Sequence, residues 1–259
     1  MDLRWADGDF ERLPGLAREL VDRAPRLIFA QAPPAALALK AATSKIPIVF
    51  VVGLDPVSSG LVESLPRPRG NATGMTMLNP ALGAKRLEIL KELIPSATKI
   101  AMLLNPVSPD AVPEMQPIQD AAPGLGIDFQ VTEASTQREI ESTFYHFASH
   151  GTDAVLVGAD PFYMDRRQAI AELAARLRIP AIYPFREFVA AGGLLSYGTS
   201  IAQTIRQAGQ YAARILKGAK PSELPVQKPT RFQLVINTTA AKQLGVMVPP
   251  RLLADEVVD

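Results

Sequence analysis

Ala154-Val155-Leu156-Val157-Gly158-Ala159-Asp160-Pro161 is a short apolar run that breaks into a small-residue loop closed by proline. A helical pattern follows over Arg166–Leu177, with Ile170, Leu173, Ala174 and Leu177 on one face, and then Ile179-Pro180 leads into another apolar run ending at Tyr183. A strand buried on both faces reads as unbroken Val/Leu/Ile, and a helix joining two such strands makes them parallel neighbours. The same order occurs earlier in the chain. Leu27-Ile28-Phe29 passes through a loop at Pro33, a helix around Ala36–Ala42 and Ile46-Pro47 into the strand ending at Val52. Two copies of one βαβ arrangement predict an α/β protein made of two similar doubly wound parallel-sheet lobes, divided near Pro95–Lys99.

Working outward, Lys99 to Leu104 is a further strand running into Asn105-Pro106. Leu13, Leu16, Ala17, Leu20 and Val21 share one helical face, as do Leu87, Leu90, Leu93 and Ile94 ahead of Pro95. Gly192–Gly198 reads as a strand before a long helix with Ile201, Ile205, Ala208, Ala212 and Ile215 on its apolar side, closed by Gly218. Lys220–Lys228 is a connector without periodicity. Phe232–Ile236 is a last strand, Thr238–Leu244 a last helix closed by Gly245, and Pro249-Pro250 starts a polar tail. Ligands of open parallel sheets bind outside the carboxyl ends of the strands, so the strand-end loops are the place to look for function.

Composition narrows the class. The 259 residues fit one large domain or two lobes, and 47% hydrophobic content is enough for real cores. A net charge of +1 leaves no electrostatic footprint for nucleic acid, and the lysines and arginines scattered among acids along the helices read as a solvated face. The absence of cysteine removes disulfides, thiolate metal sites and cysteine nucleophiles. The longest apolar stretch, around Ile46–Leu54, is far short of the roughly 20 residues of a membrane helix, and Met1-Asp2-Leu3-Arg4-Trp5 has no apolar signal core.

Catalytic motifs are missing: there is no G-x-S-x-G elbow, no phosphate-binding P-loop and no G-x-G-x-x-G after a strand. Ser96-Ala97-Thr98-Lys99 matches S-x-x-K without its companion motifs and reads as loop chemistry. His146 and His150 lie four apart on a predicted helix, the spacing of a zinc pair; without the adjacent glutamate of H-E-x-x-H they read as a surface pair near a helix end. No metal and no cofactor is expected. Asp55 and Asp160 either hold a ligand's ammonium group or cap the helix that follows. Arg186, between Phe185 and Phe188, either captures a carboxylate in bidentate fashion or lies on the surface over aromatic rings. Trp5, Phe162, Phe185 and Tyr197 fall near strand ends, where aromatic rings stack on a ligand or simply pack the core.

Ile46–Phe50 followed by Asp55-Pro56-Val57 and Gly60-Leu61-Val62, then Gly70-Asn71-Ala72-Thr73-Gly74, the strand ending Asn105-Pro106, Val235-Ile236-Asn237 and Leu244-Gly245…Pro249-Pro250 form a recognisable series. It resembles the ABC-transporter substrate-binding proteins of the tryptophan/tyrosine-uptake type over essentially the whole chain. The resemblance implies a periplasmic-binding-protein-like fold of type I, with two α/β lobes and a ligand cleft. It places 1–95 plus 192–220 in the first lobe and 96–191 plus 221–259 in the second. Measured against that family, the chain lacks the usual N-terminal strand–helix and starts almost at Arg4-Trp5-Ala6-Asp7-Gly8. A homo-oligomer that fills the missing strand is one expectation. Gln31-Ala32-Pro33-Pro34 replaces a Thr/Ser-rich loop, and Phe185-Arg186-Glu187 replaces a Ser/Asp-rich one, which favours an aromatic or aliphatic carboxylate over a plain α-amino acid.

The leading expectation is a non-catalytic periplasmic receptor that binds a small organic molecule by closure of two lobes and delivers it to ABC permease subunits in the inner membrane. Arg186 is expected to hold the ligand's carboxylate and Asp160 or Asp55 an amine. Trp5, Phe162, Phe185 and Tyr197 are expected around the apolar part, with Asn105 and the backbone at Ala32, Pro33 and Gly53 contributing hydrogen bonds. An enzyme using Asp160 or Glu187 as acid/base is the alternative. A regulator's sensing core is a third, for which the N-terminus has no room for a DNA-binding helix pair.

Overall fold

The computed structural model describes residues 2–250, 252 and 254–258. In chain order, α1 (Leu13–Asp22), β1 (Ile28–Gln31), α2 (Pro33–Ala42), β2 (Ile48–Val52) and β3 (Ala72–Thr76) come first. Then follow α3 (Gly83–Leu93), β4 (Lys99–Leu104), α4 (Ala111–Ala121), β5 (Asp128–Glu133), α5 (Gln137–Ser149) and β6 (Ala154–Val157). Next are α6 (Pro161–Asp165), α7 (Arg167–Arg176), β7 (Ala181–Tyr183), α8 (Arg186–Ala190) and β8 (Leu195–Gly198). The chain finishes with α9 (Ile201–Leu216), β9 (Gln233–Asn237), α10 (Thr238–Leu244) and β10 (Glu256–Val258).

These elements form two compact units, Met1–Leu78 with Ile201–Thr230, and Asn79–Ser200 with Arg231–Asp259. The division expected near Pro95 thus falls at residues 78/79. Residues 79–95 lie in the second unit because α3 packs on α4 and the β6–β7 strands. The strand expected in the first lobe from Gly192–Gly198 is β8, and it pairs with β7 and β9 in the second unit. Residues 221–230, expected in the second lobe, belong to the first unit.

In the first unit the sheet order is β1-β2-β3, all parallel. Central β2, Ile48-Val49-Phe50-Val51-Val52, is buried at every residue, whereas edge strand β1 alternates buried and exposed. The open side of β3 is covered by the supposed connector: Gln227 bridges to Met75 in parallel, and the Thr76 amide donates to the Gln227 carbonyl. Covering a sheet edge removes a row of unpaired backbone groups.

Three residues of the Gly70–Gly74 series, read above only as a family signature, have a clear structural purpose. Buried Asn71 donates through Nδ2 to the Thr43 and Ile46 carbonyls, tying the end of α2 to the start of β3. The Thr73 hydroxyl donates to the Leu224 carbonyl at 2.6 Å. Gly74 lies so close to the neighbouring strand that a Cβ there would sit 2.0 Å from the Phe50 carbonyl oxygen.

The second unit has sheet order β10-β9-β8-β7-β6-β4-β5. All neighbours are parallel except β8 and β9. Its core fills from Leu87, Leu90 and Leu93 on α3, Ile100, Met102 and Leu104 on β4, and Leu156 on β6. Helix starts are capped as their residue types dictate: Thr136 and Glu139 form a reciprocal capping box on α5, and Asn237 caps α10, which ends at left-handed Gly245. The carboxyl ends of β4, β6, β7 and β8 lie along one sheet edge and carry the loops 105–110, 158–160, 184–185 and 199–200.

Gly74→Ala is expected to destabilise the first unit by about 3 kcal/mol or more, since backbone atoms cannot step aside cheaply. Gly15→Ala, on α1 with nothing within 4 Å of the added methyl, is expected to stabilise the same unit by roughly 0.5–1 kcal/mol. Urea unfolding midpoints of the two variants give the comparison.

Candidate functional site

The most elaborated carboxyl-edge loops belong to the second unit. β6 ends at Val157, and Gly158 and Ala159 let the chain turn close to β4; a Cβ on Gly158 would lie 3.1 Å from the Leu103 carbonyl oxygen. Asp160 then caps α6, its Oδ1 accepting from the Phe162 amide at 2.9 Å, with Pro161 at the first helical position. The same oxygen accepts from the Nδ2 of buried Asn105, at the end of β4, at 3.0 Å. Capping therefore uses one carboxylate oxygen, and Asp160 Oδ2 is buried without a hydrogen-bond partner. Burial pushes the Asp160 carboxyl up, while the Asn105 side chain, the Phe162 amide, the Ser108 hydroxyl and the Tyr163 amide hold it back.

Behind this loop lies an ion pair. Arg86 on α3 is 1% exposed and Glu114 on α4 is 2% exposed. Arg86 Nη1 donates to Glu114 Oε1 at 2.9 Å, and Arg86 Nε donates to the Tyr197 carbonyl at 2.9 Å. Glu114 Oε2 accepts from the Ala159 amide at 2.8 Å. One pair thus joins two helices, the loop bearing Asp160 and the end of β8. Burial drives the Glu114 carboxyl up and Arg86 opposes it; arginine keeps its proton, so the pair stays ionic. Arg86 Nη2 has no partner.

Asp110 is the third buried acid of the cluster. It precedes α4 but makes no side-chain cap, is 3% exposed and leaves Oδ1 without a partner. Burial, then Glu114, then Asp160 push its carboxyl up to about 7. Tyr163, fully buried on α6, donates its hydroxyl to the Ala134 carbonyl at 2.7 Å, and burial together with the Asp160 charge pushes its pKa up, keeping the hydroxyl neutral.

The structure brings Asn105 and Asp160 together, and links Tyr197 to them through Arg86, Glu114 and Ala159. Phe162 follows Asp160, nearly buried, with the Arg166 guanidinium 3.6 Å above its ring. Phe185 is buried at the start of α8. The expected free guanidinium at Arg186 is corrected: it is on the surface, and its Nε and Nη2 clasp Glu256, the first residue of β10, in bidentate fashion. A carboxylate of its own chain occupies the fork that was assigned to the ligand. In the first unit, Ala32 (φ 76°) caps α2 with its amide bonded to the Val51 carbonyl, and Pro33 is buried behind it. Gly53 is buried after β2. Asp55 is exposed and accepts from the Val57 amide at 3.0 Å, the local capping role. Trp5 is 68% exposed, lying outside any helix or strand.

Sequence reasoning missed Arg86, Glu114 and Asp110. The signal was there in the periodicity. Arg86 falls on the face of Gly83, Leu90 and Leu93, and Glu114 on that of Ala111 and Ile118, where apolar residues are due. A charge at such a position is buried, and a buried charge needs a partner. His146 and His150 stack, ring centroids 3.9 Å apart, with His150 Nδ1 against the His146 carbonyl. Among the described residues no group of His, Cys, Asp and Glu has the arrangement of a metal site, and no helix is long and apolar enough to cross a membrane.

Removing one partner of a buried pair leaves the other charge uncompensated. Arg86→Met and Glu114→Leu are each expected to cost about 3–5 kcal/mol, and the double variant clearly less than their sum. Chemical denaturation of the four proteins closes that cycle. Asp110 gives a pH signature. Its folded pKa lies above its unfolded one, so the folded form holds a proton that the unfolded form has lost; that stability is full at low pH and disappears as pH rises through about 7. Asp110→Asn, which mimics the protonated acid, should match the wild type below about pH 4, under the unfolded-state pKa, and melt higher than it at pH 8.

Comparison with known proteins agrees with this architecture. The family model described as ABC transporter substrate binding protein matches residues 1–258. The tyrosine-binding protein of Clostridioides difficile is 26% identical over 257 residues, spanning 99% of this chain and 73% of its own length. The crystal structure of an ABC domain from Streptococcus pneumonia in complex with L-Trp superposes with a TM-score of 0.88 at 26% identity, covering 97% of this chain and 87% of the other. A conserved domain protein from Vibrio cholerae has a TM-score of 0.90 at 31% identity, covering 99% and 86%. Such proteins bind a small solute and work with ABC permeases, typically outside the cytoplasm; they are receptors, not enzymes. The chain belongs to the ABC transporter substrate-binding proteins.

Proposed function

We propose that this receptor binds an amino acid with an aromatic side chain, with Asp160 receiving the ammonium group. The observation that carries the reading is Asp160 Oδ2, a buried carboxylate oxygen without a hydrogen-bond partner, beside an Oδ1 that Asn105 and the Phe162 amide hold in place. Asn105 and the start of α6 hold that carboxylate in one orientation, so little ordering remains to be done when a cation arrives. The tyrosine-binding and L-Trp-bound relatives support an aromatic amino acid as the solute. The solute's carboxylate is assigned to backbone donors of the strand-end loops, since Arg186 is engaged by Glu256.

In this reading the remaining contacts within the second unit come from Tyr197 and the carboxyl-edge loops that flank Asp160. Capture by closure of two lobes is the motion the family resemblance implies; a fall in radius of gyration on adding solute is its signature. The periplasm is the proposed site of action. A homo-oligomer is a further expectation, and light scattering measures it directly.

L-Tyrosine or L-tryptophan at a hundredfold excess over its dissociation constant should stabilise the protein by about 2.7 kcal/mol, a rise of several degrees in Tm, and be recovered unchanged. Asp160→Asn should weaken binding tenfold or more while the protein stays folded. Equal affinity in the variant would remove Asp160 from the ammonium site.

A further inference from the structure

Three carboxyl groups and one guanidinium are buried together beside the Asp160 loop: Asp110 and Glu114 from the start of α4, Asp160, and Arg86 from α3. Their hydrogen bonds do not balance. Glu114 is satisfied at both oxygens, by Arg86 and by the Ala159 amide. Asp160 takes the Asn105 amide and the Phe162 N–H on Oδ1, with the Ser108 hydroxyl and the Tyr163 amide nearby also favouring its charge, while its Oδ2, like Asp110 Oδ1, has no partner of hydrogen-bond geometry. The other ionisable groups facing the cluster supply no cation. Tyr163 on α6 spends its hydroxyl on the Ala134 carbonyl, Tyr197 on β8 offers Arg86 its carbonyl, and the turn Asn79–Leu82 packed on α4 has no ionisable side chain.

With Arg86 balancing Glu114, two neighbouring buried carboxyls remain without a counter-charge. Both cannot ionise freely in a poorly polarisable interior, so the pair retains a proton. Asn105 and the Phe162 amide favour charge on Asp160, which leaves the proton with Asp110.

We propose that Asp110 stores a proton in the empty receptor and releases it to solvent when a cationic group docks against Asp160, so that solute capture is linked to proton release. This rests on the assignment of Asp160 as the ammonium acceptor. The covalent bookkeeping is simple: the Asp110 O–H bond breaks, the proton passes to water or buffer, and the incoming cation replaces its charge. Binding of an amine-bearing solute must then weaken in acid, approaching tenfold per pH unit below neutrality.

The test has two arms that fail separately. First, proton uptake of the solute-free protein between pH 8 and 5.5 is compared by potentiometric titration with that of Asp110→Asn, and the Asp carboxyl carbons of the wild type are followed by NMR. The wild type should take up about one proton more, and one buried aspartate should titrate far above the ordinary carboxylate range. Equal uptake together with no such resonance overturns the store, whatever the protein binds. Second, calorimetry with L-tyrosine at neutral pH in buffers of different ionisation enthalpy should show a fraction of a proton released. Asp110→Asn should release none and lose the pH dependence of affinity. The amine-free analogue 3-(4-hydroxyphenyl)propionate should bind more weakly and release none. Proton-neutral binding of L-tyrosine overturns the linkage while leaving the ammonium assignment standing. Failure of any amine-bearing aromatic solute to bind overturns both.

Discussion

An ion pair that water scarcely reaches organises the second unit. Arg86 and Glu114 would cost several kcal/mol each to strip of solvent if they offered one another nothing but charge. What offsets this is the number of fixed dipoles they also engage, the Tyr197 carbonyl on one side and the Ala159 amide on the other. Each of those backbone groups ends a strand at the edge where ligands of such sheets bind. A leucine pair of similar volume would fill the space and leave both strand ends unanchored. The pair's contribution is thus to geometry more than to stability.

Close backbone approach completes the same edge. At Gly198 a Cβ would fall 2.0 Å from the Pro184 carbonyl oxygen, so β7 and β8 leave the sheet nearly in contact. In the first unit the tie at that edge is neutral: the Thr76 hydroxyl, at the end of β3, donates to the Leu54 carbonyl at 2.8 Å. Both sheets are largely parallel and hold these loops by different chemistry, ionic in one and hydroxyl in the other.

Much of this was readable from the residues, for a physical reason. Lys99–Leu104 and Ala154–Val157 are strands covered on both faces, so their apolar runs are unbroken and their limits match the structure. β3 escaped notice because Thr and Gly occupy positions that a strand reader expects to be large, and β5 and β10 because edge strands keep polar residues. α4 was not anticipated: it carries Pro113 and Pro117, residues that interrupt a helical pattern, although the first sits in the initial turn where its missing amide costs little. The unit boundary moved because the apolar face of α3 seeks α4, a helix not anticipated. At the site, Asn105 and Asp160 were visible as strand-end polar residues. Asp110 and the ion pair were not, since composition treats every charge alike and only burial separates them. The pairing of Arg186 with Glu256 was not readable because the partner lies seventy residues along the chain.

The chain crosses between the units more than once, and the order of crossing matters before any solute is met. Residues 201–230 complete the first unit and 231–259 the second, so each has a late segment in its core, Val226 in one and Leu234 and Ile236 in the other. During synthesis from the amino end neither unit can close while its last part is still within the ribosome. The first unit therefore cannot complete its core before residues 201–230 have emerged, nor the second before the strand at residues 233–237 has.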